Sequence, residues 1–165
     1  MIEVKNKKAY FDYFIESELE AGIVLKGTEI KSVRKGSVDL KDSFVNIKNN
    51  EAFIINMYIS KYEEGNIFNH DERRSRKLLL HKKEIKKIKE KISVEGKTLV
   101  PLKLYLKNSK VKILVGVAKG KKLYDKRETI KKRDLERENR YWKSHKKIMI
   151  LFNFHGSTNY LIAKY

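Results

Sequence analysis

The chain has 165 residues, with 39 Lys and Arg against 21 Asp and Glu, a formal net charge of +18 and no cysteine. That length fits one domain of ordinary size, and the lack of cysteine excludes disulfides and thiolate metal sites, as suits a reducing cytoplasm. The basic excess is concentrated: Arg73–Lys91 holds ten Lys/Arg against two Glu, and Lys119–Lys147 holds thirteen against five Asp/Glu, a net +8 in each window. Fields of that size point to a polyanion, and nucleic acid comes before a membrane because the sequence shows no long apolar helix or signal peptide.

Residues 1–9 are polar and start no periodic pattern, so they read as a flexible arm carrying Lys5, Lys7 and Lys8. Tyr10–Ile15 and Ala21–Leu25 are β-rich runs, and the acidic link Glu16–Glu20 between them predicts a hairpin. Glu16, Glu18 and Glu20, at spacing two, share one strand face. With Asp12 they allow either a metal site for phosphodiester cleavage or a solvated, charge-protected strand edge. Gly27-Thr28-Glu29 opens a short helix with Thr28 as N-cap, and Gly36 ends it. Phe44–Lys48 and Ala52–Ile59 form an antiparallel pair across Asn49-Asn50, whose tolerance of positive φ suits a tight turn. The stretch 61–77 lacks periodicity and reads as a long loop. His81 starts a helix, with Glu84 placed to reach back as in a capping box. Ile85, Ile88 and Ile92 line its apolar face, lysines cover much of the rest, and Gly96 stops it.

Thr98–Lys107 and Lys110–Ala118 make the last hairpin, across Asn108-Ser109. In its second arm Val111, Ile113, Val115 and Val117 alternate with Lys112, Leu114, Gly116 and Ala118, a period-two pattern that predicts a strand with one face on the core. The pattern then gives way to Lys119, Gly120, Lys121 and Lys122, where the body ends and a basic arm begins. At least five β segments around two helices favour a small antiparallel barrel. Beyond Asp125 the residues favour helix, with Glu128–Lys132 and Glu136–Arg140 pairs at i,i+4 but no sustained apolar stripe, so this tail is expected to be mobile until a partner orders it. Ile148–Phe154 is far too short to span a bilayer, and with Tyr160–Tyr165 beyond the break at His155–Asn159 it reads as a small hairpin or an extra docking strand.

The four histidines, at 70, 81, 145 and 155, have no recognised metal spacing, and the chain has neither a phosphate-binding Gly loop nor a nucleophile elbow. Binding rather than catalysis is therefore the expectation, with no cofactor. Tyr10, Phe11, Tyr13, Phe14, Tyr105 and Tyr124 interleave with basic residues, the mixture that stacks bases and holds phosphates, although most such aromatics belong to cores.

Asn6-Lys7-Lys8-Ala9, Asp12-Tyr13-Phe14-Ile15-Glu16, Glu20-Ala21-Gly22, Gly27–Ser32, Arg76–Leu80, Gly116–Lys122 and Asp125-Lys126-Arg127 together resemble the small protein B (SmpB) family, the bacterial proteins that bind transfer-messenger RNA. The match runs in register from about Asn6 to Asp134. The resemblance implies an antiparallel barrel with an embedded oligonucleotide-binding (OB-fold) topology, flanking helices, and a C-terminal tail that is disordered alone and helical in a ribosome. Its divisions would be an arm at 1–9, a barrel at 10–122, a basic tail at 123–147 and an atypical apolar extension at 148–165. It implies a cytoplasmic, non-enzymatic protein that binds the tRNA-like domain, promotes its alanylation by alanyl-tRNA synthetase and its delivery with elongation factor Tu, and places its tail in the vacant mRNA channel of the small-subunit decoding region. By motif position, Asn6, Lys7, Lys8, Phe11, Glu20 and Leu79 lie on the RNA face, Lys119, Lys121 and Lys122 hold phosphate, and Asp125, Lys126 and Arg127 act on the ribosome. Phe11 stands where the family commonly carries His, which keeps stacking but removes a ring-nitrogen hydrogen bond. Ile148-Met149 resembles the Ile-Met pair near the family's tail end, yet sixteen residues follow it here. A constitutive ribosomal or general RNA-binding protein on the same barrel is the alternative, and a nuclease using Asp12, Glu16 and Glu20 is the third reading.

Overall fold

In the computed structural model, residues 2–65 and 69–156 are described, with side chains through residue 143 except at 94 and 95. The chain divides into two compact units, Met1–Lys121 and Lys122–Tyr165. The first contains β1 (Glu3–Lys5), α1 (Lys7–Asp12), β2 (Tyr13–Ile23), α2 (Gly27–Arg34), β3 (Val38–Asp39) and β4 (Phe44–Lys48). It continues with β5 (Glu51–Ile55), β6 (Tyr58–Ile59), β7 (Arg76–Leu79), α3 (Lys82–Glu95), β8 (Thr98–Lys107) and β9 (Lys110–Gly120). The second unit contains α4 (Leu123–Gly156). Among the described residues no helix is long and apolar enough to cross a membrane.

Every strand pairing is antiparallel, and the pairs β8–β4, β4–β5, β5–β7, β7–β2, β2–β9 and β9–β8 return to their starting strand. The sheet therefore closes on itself, which removes the free edges that invite aggregation. Strand β1 adds to β8 outside this circuit, pairing Glu3 with Tyr105 and Lys5 with Lys103. The mainly antiparallel β architecture with flanking helices is as expected. Its turns follow from local chemistry: Asn49 and Asn50 have φ of 51° and 57°, and Asn108 and Ser109 have 50° and 61°, the paired positive values of a tight hairpin.

The interior is filled by Ala21, Ile54, Leu78, Leu99, Leu104 and Ile113 among others, with Val33 of α2 and Ile88 of α3 closing it. A second, smaller core lies across β8 and β9, where Ala9 of α1 packs with Val100, Leu102 and Ala118. Gly116 is required there, because a Cβ would meet Leu102 Cδ1 at 2.9 Å.

Four expectations are corrected. Residues 3–9 are not a loose arm: Asn6 is buried, its Nδ2 donates to the carbonyls of Leu40 and Pro101 at 3.0 Å each, and its Oδ1 accepts from the Ala9 N–H at 3.1 Å, capping α1. Nor is there a hairpin at Glu16–Glu20, since β2 is one eleven-residue strand that sends Glu16, Glu18 and Glu20 outward. Thr28 lies inside the first turn of α2 rather than at its N-cap, which is Lys26; the Lys26 N–H donates to Glu29 Oε2 at 2.7 Å. Finally, residues 148–154 belong to α4 and form neither hairpin nor strand; residues 157–165 of the extension lie outside the described residues.

Candidate nucleic-acid interface

Strand β2 places Glu20 toward one end and Phe14 at the other. At the far end, Glu20 and Leu79 line one groove of about 540 Å³ together with Gly22, Lys77, His81 and Lys112. Gly22 lies opposite Leu79 in the β2–β7 ladder, and a Cβ at Gly22 would sit 3.2 Å from Leu79 Cβ. The glycine leaves the leucine room to project outward, 56% exposed. An apolar side chain that open to solvent is placed for contact, not for the core.

Glu20 is held in place. Its Oε2 accepts from the Tyr105 hydroxyl and from Lys107 Nζ at 3.2 Å, and Lys112 Nζ lies 3.6 Å from Oε1. Tyr105 is itself covered by Lys103 Nζ, 4.9 Å from the ring centroid. The hydrogen bonds from Tyr105 and then Lys107 hold the Glu20 carboxyl below its ordinary value, and the same carboxylate pushes the Tyr105 phenol up to about 12. A carboxylate on a surface meant for phosphates is thus offset by two lysines and remains an acceptor with fixed aim, suited to amino or hydroxyl donors of a base or ribose. Tyr105 was legible as one of the aromatics among basic residues. Lys107 and Lys112 were not, because only the β8–β9 and β2–β9 ladders bring them to Glu20.

At the near end of β2, Phe14 pairs with Lys119 across the β2–β9 ladder. The Phe14 ring is 49% exposed and has Lys121 Nζ 5.0 Å from its centroid. Lys121 Nζ also donates to the Tyr10 carbonyl at 3.1 Å, and its N–H donates to the Asp12 carbonyl at 2.9 Å. These bonds bring the last turn of α1, where half-buried Phe11 sits, against the end of β9. An exposed ring beside an ammonium fits base stacking with phosphate contact. From Phe14 to Glu20 is six strand residues, about 20 Å, so the two ends form a two-point surface.

The remaining predicted residues are distributed less evenly. Lys7 and Lys119 are exposed, while Lys8 is tied to Asp42 at 2.5 Å. Asn6 is buried, and both amide donors and its oxygen are engaged internally, where it caps α1. In the second unit, the Lys122 N–H donates to Asp125 Oδ2 at 3.0 Å and Thr129 Oγ1 donates to the Asp125 carbonyl at 2.8 Å, so Asp125 also starts α4. Lys126 is half-buried and Arg127 exposed.

The carboxylates that a nuclease would gather are given to cations instead: Glu16 pairs with Lys97, and Glu20 with Lys107 and Lys112. Among the described residues no group of three or more His, Asp or Glu is placed to hold a metal ion.

A closed sheet whose rim sets lysines beside an outward leucine, two aromatic rings with ammonium groups over them and a carboxylate held by its neighbours has the make-up of a polyanion-binding module. Comparison with known proteins narrows the class: the chain belongs to the SmpB family, whose model, described as SmpB protein, matches residues 3–145. It is 62% identical over 137 residues to the SsrA-binding protein of Acetivibrio thermocellus, covering 83% of this chain and 89% of that one. The SsrA-binding protein of Bacillus pumilus is 60% identical over 134 residues, covering 81% and 86%. A solved chain described as "tmRNA-SmpB: a journey to the center of the bacterial ribosome" superposes with a TM-score of 0.63 at 46% identity, over 74% of this chain and 87% of that one.

Proposed function

We propose that this chain binds transfer-messenger RNA and acts in trans-translation at the ribosome. The observation that carries the reading is the 62% identity to an SsrA-binding protein across 83% of the chain. The geometry supports it: a folded RNA is recognised by shape, phosphate and a few splayed bases, and the two ends of β2 supply an aimed acceptor with an apolar contact and a ring with an ammonium. Glu20 and Leu79 read the tRNA-like domain, Phe11 and Phe14 offer stacking surfaces, and Lys7, Lys119, Lys121 and Lys122 meet phosphate. Lys126 and Arg127, with Asp125 holding the start of α4, act at the small-subunit decoding region. The protein works in the cytoplasm and makes no bonds itself; alanylation and delivery belong to alanyl-tRNA synthetase and elongation factor Tu acting on the same RNA.

Sequencing the RNA that co-purifies with the protein from its host tests this. Transfer-messenger RNA should dominate over ribosomal RNA after a high-salt wash. Recovery of ribosomal RNA alone, in constant ratio to ribosomes whether or not they are stalled, would replace the reading with that of a constitutive ribosomal protein.

A further inference from the structure

The groove at Glu20 and Leu79 does not end there. Asn50, Glu51, Lys82 and Ile85 line it and also line a larger cavity of about 970 Å³ between α3 and the β4–β5 turn. Ile85, buried against the body, lies at its floor, and Lys82, Lys86 and Lys89 stand along one wall. Their i, i+4, i+7 spacing puts them in one row. The opposite wall is the tight turn of Asn49 and Asn50, both exposed and both at positive φ, which presents two amide side chains. Of the wall carboxylates, Glu51 is engaged by Lys77, and Glu90 stands at the edge of the lysine row. The other three lysines of α3, Lys83, Lys87 and Lys91, are equally exposed but do not line the cavity. One helix therefore carries two rows of the same charge, and only one row borders a groove continuous with the Glu20–Leu79 surface.

We propose that this α3 groove binds the phosphate backbone of the same RNA strand that contacts Glu20 and Leu79, with Lys82, Lys86 and Lys89 on phosphates and Asn49 and Asn50 on adjacent sugar or phosphate oxygens. The occupant follows from continuity and charge: the shared lining joins the two grooves, and a row of cations facing amides suits a polyanionic strand. Lys82 to Lys89 spans about 10 Å at 1.5 Å per residue, the axial rise of roughly three nucleotides. This extends the RNA-binding reading above and rests on it.

The test compares two triple variants of the full chain binding the tRNA-like domain of transfer-messenger RNA and an unrelated RNA hairpin of equal length, across a salt series. Both remove three charges from exposed positions of one helix while keeping a good helix former: Lys82→Gln/Lys86→Gln/Lys89→Gln along the groove, and Lys83→Gln/Lys87→Gln/Lys91→Gln outside it. The groove triple should lose at least tenfold in affinity for the tRNA-like domain at low salt and flatten the log–log salt slope by about 2 to 3; the outer triple should stay within threefold with its slope unchanged. Equal losses in the two triples would reduce α3 to a diffuse field, and no loss in either would leave the groove empty of RNA; both overturn the proposal. Circular dichroism of each triple shows that the helix is retained. If the unmodified chain shows no preference for the tRNA-like domain, the function proposed above falls instead, and the difference between the triples still reports the groove on whichever RNA is bound.

Discussion

Two glutamates of this chain show how the same side chain takes opposite roles according to its surroundings. Glu29 is fully buried and receives Arg74 Nη2 at 2.5 Å and Arg76 Nε at 2.8 Å, while Arg76 also donates to the Met57 and Glu72 carbonyls. Burial pushes the Glu29 carboxyl up, but hydrogen bonds from Arg74, the Lys26 N–H and Arg76 outweigh it and hold the group below 4.5. A carboxyl lowered on folding contributes stability that is full above the unfolded value and is lost as pH falls through the folded value. Glu29→Gln should therefore cost about 3 to 5 kcal/mol at pH 7, by leaving Arg76 buried without its counter-charge. It should also flatten the loss of stability below about pH 4.5, where the unfolded chain takes up a proton that the folded Glu29 carboxyl still refuses. Urea midpoints from pH 7 to 3 measure both, and an unchanged acid slope in Glu29→Gln would exclude this carboxyl as the source. Glu20 is the open counterpart. Tyrosine ring-carbon resonances followed with pH should give Tyr105 a midpoint of about 12 in the native chain, falling toward the ordinary 10 in Glu20→Gln. A midpoint that ignored the substitution would show that the phenol is not bonded to this carboxylate, and with it the fixed aim of Glu20 would go.

At the scale of elements, what could be read in advance was whatever short-range chemistry decides. The Asn49-Asn50 and Asn108-Ser109 turns, the His81–Glu84 helix start with its N–H bond at 2.8 Å and the stop at Gly96 all depend on neighbours within a few residues. Strand β2 carries its alternation in the sequence, with Tyr13, Ile15, Ser17, Leu19 and Ala21 on the inner face, but three outward glutamates give it the look of a polar link. The N-terminal segment differs from expectation for another reason. Its strand is only three residues long and depends on β8, and the cap of α1 is tied to Pro101, ninety-five positions away, so no local pattern announces it. The stretch 61–77 likewise lacks periodicity, yet Arg74 and Arg76 anchor its end to α2 over forty-five and forty-seven positions. The candidate site divides in the same way. Glu20, Leu79 and Lys119 were reachable from motif position, whereas the lysines that make Glu20 tolerable, and the groove beside α3, exist only once the sheet has closed.

At the scale of the whole molecule, the proposed function gives RNA binding to the first unit and action at the ribosome to the second. Helix α4 runs thirty-four residues, and over 123–143, where its side chains are described, Leu123, Tyr124, Leu135 and Trp142 are exposed and share no single apolar stripe, so this part of the helix has little to bury. Holding such a segment in one conformation costs about 1 to 2 kcal/mol per residue in backbone entropy, and under the proposed function contacts between this basic helix and ribosomal RNA would offset that cost. Asp125 has a definite part, because its carboxylate accepts the Lys122 N–H and fixes the first turn. Two variants separate the contributions. Replacing Asp125, Lys126 and Arg127 together by Ala removes two phosphate-reaching charges and the turn-starting bond; replacing only Lys126 and Arg127 removes the charges and keeps the bond. Both should leave affinity for transfer-messenger RNA within a few-fold, with the salt slope reduced by less than about 2, while peptide tagging on ribosomes halted at the end of a broken message collapses in the triple variant. Substantial tagging by the double variant would assign the effect to the helix start that Asp125 secures, and collapse in both would assign it to the two cations. Tagging retained by the triple would show these residues to be dispensable. A fall in RNA affinity parallel to the fall in tagging would instead place them in the RNA-binding body and abolish the division of labour between the two units.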